Sequence, residues 1–133
     1  MLMPTVHRYM TLGPYTVSPY EPMSSAHRLM RKHGFHHVPV VEEGKLVGII
    51  SDRDLHLVLP DSANPDTVCV AEVMSTCPLA VTSEMPLDEA IELMSTSRCG
   101  ALVVLGKTGN VVGILTSSDA LWALTDLLRR EAA

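Results

Sequence analysis

Gly48-Ile49-Ile50-Ser51-Asp52-Arg53-Asp54 decides how this chain is read, because it occurs twice. Its second copy is Gly113-Ile114-Leu115-Thr116-Ser117-Ser118-Asp119. Each copy is a glycine, two aliphatics, a hydroxyl residue, two variable residues and an aspartate. The two glycines are 65 residues apart, and so are Asp54 and Asp119. A period of that size in a chain of 133 residues leaves room for two copies of one unit and little else.

The repeat extends outward from this stretch. Val6 and Met10 recur as Val70 and Met74, Pro14 as Pro78, Val17 as Val81, and Ser18 as Thr82. Pro22-Met23 recurs as Pro86-Leu87; Ala26, Leu29 and Met30 recur as Ala90, Leu93 and Met94. These pairs are 64 apart, and one extra residue in the Lys107–Asn110 turn makes the later offset 65.

Each copy predicts the same elements. Tyr15–Ser18 and Leu79–Thr82 read as short strands. Pro22 and Pro86 suit a helix start, and the apolar residues after them have helical spacing. Gly34 and Gly100 sit where those helices should stop. Two β-rich runs around a Gly-containing turn follow: Val38–Val41 and Leu46–Ile50 in one copy, Ala101–Leu105 and Val111–Leu115 in the other. A helix closes each copy, from Asp52 to about Leu59 and from Ser117 to about Arg130. The predicted fold class is α/β, two pseudo-symmetric β-α-β-β-α repeats packed through their sheets. The expected divisions are repeat 1 over 1–60, a linker over 61–67 and repeat 2 over 68–133. One unit of about 60 residues buries little core alone, so the pair is the expected folding unit.

Composition narrows the function classes. An apolar fraction of 47% is globular, and no 18-residue apolar window exists to span a membrane. Net charge of −5 argues against nonspecific nucleic-acid binding, which needs a basic stripe. Cys69, Cys77 and Cys99 are odd in number and unpaired in spacing, which fits free thiols in a reducing compartment. With no secretory signal at Met1–Thr5, a cytoplasmic location is expected.

The ordered set Met10…Thr16-Val17-Ser18…Ala26…Met30…Val38-Pro39-Val40-Val41…Gly44…Leu46–Ser51-x-x-Asp54-Leu55 resembles a CBS domain, and the second copy matches in order through Asp119. The tandem resembles a Bateman module and covers nearly the whole chain. Val103 stands where the second copy usually has proline, and Asp52-Arg53 differs from Ser117-Ser118. The resemblance implies a free-standing regulatory module, not an enzyme. It would bind an adenosine-containing ligand between the repeats, dimerise, and pass ligand state to a regulated protein that the sequence does not name. The regulatory ligand implied is an adenine nucleotide, AMP, ADP or ATP; S-adenosylmethionine is the alternative within the family.

By the motif, Asp54 and Asp119 would accept the two hydroxyls of a ribose. Ser51 and Thr116 would stand at the start of a helix, where backbone N–H groups favour an anion. Arg53 would add charge for phosphates, and Ser118 holds its place in the second copy. Thr16, Val17, Val38 and Pro39 would line the first adenine slot; Ala80, Val81, Ala101 and Leu102 would line the second. His36, with His37 beside it, matches a position that can touch phosphates, and Arg98 lies in the corresponding segment.

A bland reading stands beside this one. Ser-x-x-Asp and Thr-x-x-Asp before a helix are capping signatures, so a ligand-free dimerisation scaffold would show them too. Val17 and Val81 serve equally as plain β-core. His33, His36 and His37 admit a third reading, a metal site, although no evident fourth ligand completes it. The stripe of Leu121, Trp122, Leu124, Leu127 and Leu128 either covers the core or offers Trp122 as a dimer anchor.

Overall fold

A computed structural model describes residues 2–13, 15–58 and 64–133. Its elements in chain order are α1 (Val6–Tyr9), β1 (Thr11–Leu12), α2 (Met23–His33), β2 (His37–Glu42), β3 (Lys45–Ser51), α3 (Asp52–Val58), α4 (Val70–Val73), β4 (Ala80–Thr82), α5 (Leu87–Ser97), β5 (Ala101–Leu105), β6 (Val111–Thr116) and α6 (Ser117–Ala132). The protein is α/β, and its compact units cut the chain differently from the sequence repeat. One unit comprises Pro14–Pro78 with Gly109–Val111; the other comprises Met1–Gly13, Leu79–Thr108 and Val112–Ala133.

In the 14–78 unit, β2 and β3 form an antiparallel hairpin that pairs His37 with Ser51 and Pro39 with Ile49. The turn places Glu43 and Gly44 at φ 50° and 78°, the positive-φ pair that a tight two-residue hairpin demands. The predicted strand over Tyr15–Ser18 is reduced to one parallel bridge, Val17 to Val40. α2 lays Met23, Ala26 and Met30 on the sheet. It stops at Gly34 in the left-handed region, whose N–H donates to the Met30 carbonyl at 2.8 Å. Val70 of α4 is fully buried in this core with Val38, Val40, Ile50 and Leu55.

In the other unit, four strands run β1-β6-β5-β4. β4 pairs parallel with β5, Val81 beside Val104, and β1 pairs antiparallel with β6, Thr11 beside Ile114. α5 buries Leu87, Ala90 and Met94. The core holds Val6, Tyr9 and Met10 from the N-terminal segment alongside Leu102, Leu115 and Ala123. Tyr9 fixes that segment to α6: its hydroxyl donates to Asp126 Oδ2 at 2.8 Å. Burial and this hydrogen bond raise the Tyr9 pKa. The same bond, helped by Arg130, holds the Asp126 carboxyl below its ordinary value.

One sequence expectation changes here. α5 ends at Arg98, in the left-handed region at φ 52°, before Gly100 is reached. The glycines of the repeated stretch, Gly48 and Gly113, admit close approach of neighbouring backbone. A Cβ on Gly48 would sit 2.7 Å from the Ser75 carbonyl oxygen, and one on Gly113 would sit 2.9 Å from that of Thr11. Residues 59–63, which include most of the expected linker's start, lie outside the described residues. The remainder, 64–67, is a turn in which Asn64 Oδ1 accepts from Asp66 N–H at 2.9 Å.

Candidate functional site

The repeated stretch ends a strand and opens a helix in both units, and that junction fixes its side chains. At the β3–α3 junction the Ser51 N–H donates to Asp54 Oδ2 at 2.8 Å, and the Asp54 N–H donates to Ser51 Oγ at 3.1 Å. At the β6–α6 junction the Thr116 N–H donates to Asp119 Oδ2 at 2.8 Å, and the Asp119 N–H donates to Thr116 Oγ1 at 3.2 Å. Both are reciprocal capping boxes. Capping is therefore a role these four residues have. It does not exhaust the aspartates, since a carboxylate offers about four acceptor sites and the cap engages one oxygen.

The other predicted residues of the first half-site gather in the 14–78 unit. Val17 lies beside β2, its N–H donating to the Pro39 carbonyl at 3.1 Å, while Val41 N–H returns to Val17 O at 2.9 Å. Val17 and Val38 are buried in the unit's core, Pro39 between Val38 and Val40 is buried as well, and Thr16 is exposed next to Val17. Arg53 is exposed in the first turn of α3 and forms no ion pair with another described residue.

The histidines separate. His33 stacks on Tyr15, ring centroids 4.3 Å apart, and faces Phe35 at 5.2 Å. His36 Nδ1 is 3.6 Å from Asp52 Oδ2, and His56 Nδ1 is 3.3 Å from the other oxygen of the same carboxylate. His37 pairs with Ser51 across the hairpin. Burial, then the neighbouring His36, push its pKa below the ordinary 6.5, against the opposing pull of Asp54 and Asp52. Among the described residues no group of three or more His, Cys, Asp or Glu side chains is arranged to hold a metal ion.

The second half-site gathers in the other unit. Ala80 is exposed and Val81 buried on β4, alongside buried Ala101 and Leu102 of β5. Ser117 N–H donates to the Gly100 carbonyl at 3.0 Å, which ties the start of α6 to the start of β5. Ser118 and Arg98 are exposed.

The sequence reading missed two contributors. Thr11, far away in the chain, donates its hydroxyl to Asp119 Oδ1 at 3.4 Å. Only the repeat carried a signal for it, through Met10-Thr11 matching Met74-Ser75. His56 was legible from its i,i+4 spacing to Asp52.

The chain is 33% identical over 107 residues to the inosine-5'-monophosphate dehydrogenase of Korarchaeum cryptofilum, covering 80% of this chain and 21% of that protein. Among solved structures it is similar to CBSX2 of Arabidopsis thaliana in complex with AMP: TM-score 0.82 and 25% identity, over 92% of this chain and 97% of that one. It is likewise similar to the CBS domain pair of protein MJ0100, solved with 5'-methylthioadenosine and S-adenosyl-L-methionine. That match has TM-score 0.81 and 27% identity, over 90% of this chain and 98% of that one. The CBS domain family model matches residues 6–61 and again 70–126, so the chain belongs to the CBS domain family as a tandem pair.

Proposed function

We propose that this protein is a regulatory module that binds an adenosine-containing nucleotide, AMP, ADP or ATP, and transmits its ligand state to a partner protein. It acts by binding and not by catalysis. The observation that carries this reading is the duplicated junction. Each unit holds an aspartate in the first turn of the helix that follows a strand, with acceptor capacity beyond what its cap uses. A ribose offers two adjacent hydroxyl donors to such a carboxylate, in charge-assisted hydrogen bonds. The AMP complex of CBSX2 supports the ligand class. S-adenosyl-L-methionine in the MJ0100 pair favours a second reading, in which the ligand is a sulfonium nucleoside without phosphate.

The exposed Arg53 beside Asp54, against Ser118 beside Asp119, favours phosphorylated ligands at the first half-site. Thermal unfolding with AMP, ADP, ATP and S-adenosylmethionine tests all of this. A ligand that binds only the folded state at 100 times its Kd stabilises by about 2.7 kcal/mol. A raised melting temperature with a nucleotide is expected. Absence of any shift with all four compounds would leave the capping boxes as purely structural and the protein as a scaffold.

We also propose that the module is a homodimer. α6 exposes Leu121, Trp122, Leu124 and Leu128, each more than half accessible, and a contiguous apolar face of this kind marks an interaction site.

A further inference from the structure

The two units invite comparison with each other at their opposite edge, away from the capping boxes. Positions 20 and 42 of one unit correspond to 84 and 106 of the other, by the same offset that relates the Val17–Val40 bridge to Val81–Val104. In the 14–78 unit the Tyr20 hydroxyl donates to the Glu42 carboxylate, so a ring and a carboxylate span the gap between the segment after Val17 and the end of β2. In the other unit those positions are Glu84 and Gly106, which have no ring to place there. A cavity of about 430 Å³ lies at this edge, within the range of small-molecule sites.

Its walls are apolar, with Met10, Leu12 and Val112 among them; Leu12 leaves 64% of its surface exposed. Its lining carries both signs of charge, Glu84 and Lys107, and includes the His7 imidazole. The 14–78 unit has Glu43 in place of Lys107 and Ala71 in place of His7. Glu84 and Lys107 border one cavity yet do not pair with each other or with any other charged side chain among the described residues. Glu84 accepts a 3.4 Å contact from the Ser83 hydroxyl.

We propose that this cavity is a second ligand site, separate from the capping-box aspartates, and that it takes a small zwitterion with an apolar body, the class of the aliphatic α-amino acids. The carboxylate of such a ligand meets Lys107, its ammonium meets Glu84, and its side chain covers Leu12 and Val112. Charge-assisted contacts on both ends supply orientation, and the apolar wall supplies the burial.

The test is an NMR titration of the ¹⁵N-labelled full chain with L-leucine. Isovalerate, which lacks the ammonium, and isoamylamine, which lacks the carboxylate, are the comparison ligands. Saturable shifts at the amides of Ser83, Glu84 and Leu105–Lys107 are expected with leucine, with both comparison ligands at least about tenfold weaker, a factor of ten being about 1.4 kcal/mol. The double variant Glu84→Tyr/Gly106→Glu transplants the other unit's bridge and should abolish the leucine shifts while the thermal response to AMP is kept. Lys107→Gln, a surface change that spares the fold, should weaken leucine at least about fivefold. Absence of saturable leucine shifts overturns the site. Isovalerate or isoamylamine binding as tightly as leucine overturns the zwitterion. Leucine shifts that survive both variants overturn the location.

Discussion

Asp54 is asked to do two things at once, and the two can be separated by one atom. Its Oδ2 accepts from the Ser51 N–H at 2.8 Å, a contact an asparagine oxygen can also make. Asp54→Asn therefore keeps the capping geometry and removes the charge; Asp54→Ala removes both. In urea titrations the alanine variant is expected to lose about 1 kcal/mol, the usual worth of a cap, and the asparagine variant less. If the ribose reading holds, both variants lose the melting-temperature response to nucleotide. An asparagine variant that keeps that response in full would reduce Asp54 to a cap.

His37 is the residue with a pH signature. Its folded pKa lies below 6.5, chiefly because it is buried. The unfolded chain therefore binds the proton more readily, and folding stability falls as pH drops from the ordinary imidazole value toward the lowered one. Above 6.5 the contribution is fully present. His37→Asn should flatten this acid limb in stability curves measured between pH 7 and 5. An unchanged slope in the variant would place the titrating group elsewhere.

Among the elements, the two long helices that follow the proline starts end differently, and only one ending was legible. Gly34 was readable because a glycine after the last periodic residue is the ordinary left-handed stop. Gly100 invited the same reading and is two residues late, because Arg98 takes the left-handed conformation itself. An L side chain there costs about 1–2 kcal/mol relative to glycine. Arg98→Gly should raise the urea midpoint by an amount equivalent to about 1 kcal/mol. A variant that is no more stable would mean the arginine side chain compensates in place.

The hairpins, α2, α5 and the capping boxes were legible because their signals are local: period, proline, glycine and the Ser/Thr-x-x-Asp spacing. β1 was not legible, since Thr11 and Leu12 become a strand only by pairing with Ile114 and Gly113. A partner a hundred residues away leaves no mark in the two residues that need it. The Tyr15–Ser18 strand failed for the converse reason: its alternation is right, but only Val17 finds a bridge.

At the scale of the whole molecule, the apolar face of α6 makes a quantitative claim on assembly. Sedimentation equilibrium should give a dimer, and Trp122→Glu, which puts a charge among Leu121, Leu124 and Leu128, should shift it toward monomer. Trp122 is 55% exposed, so the change should leave the monomer's own stability within about 0.5 kcal/mol. A parent chain that sediments as a monomer would remove the dimer from the proposal.

The placement of Val6, Tyr9 and Met10 in the core with Leu115 and Ala123 sets a timetable for synthesis. Val6, Tyr9 and Met10 leave the ribosome about a hundred residues before α6, the helix that completes their core. Until α6 follows, they are apolar side chains whose core is incomplete. In a nascent chain paused after α4 those side chains would still lack β4, α5, β5, β6 and α6, and would stay exposed to solvent until these elements emerged.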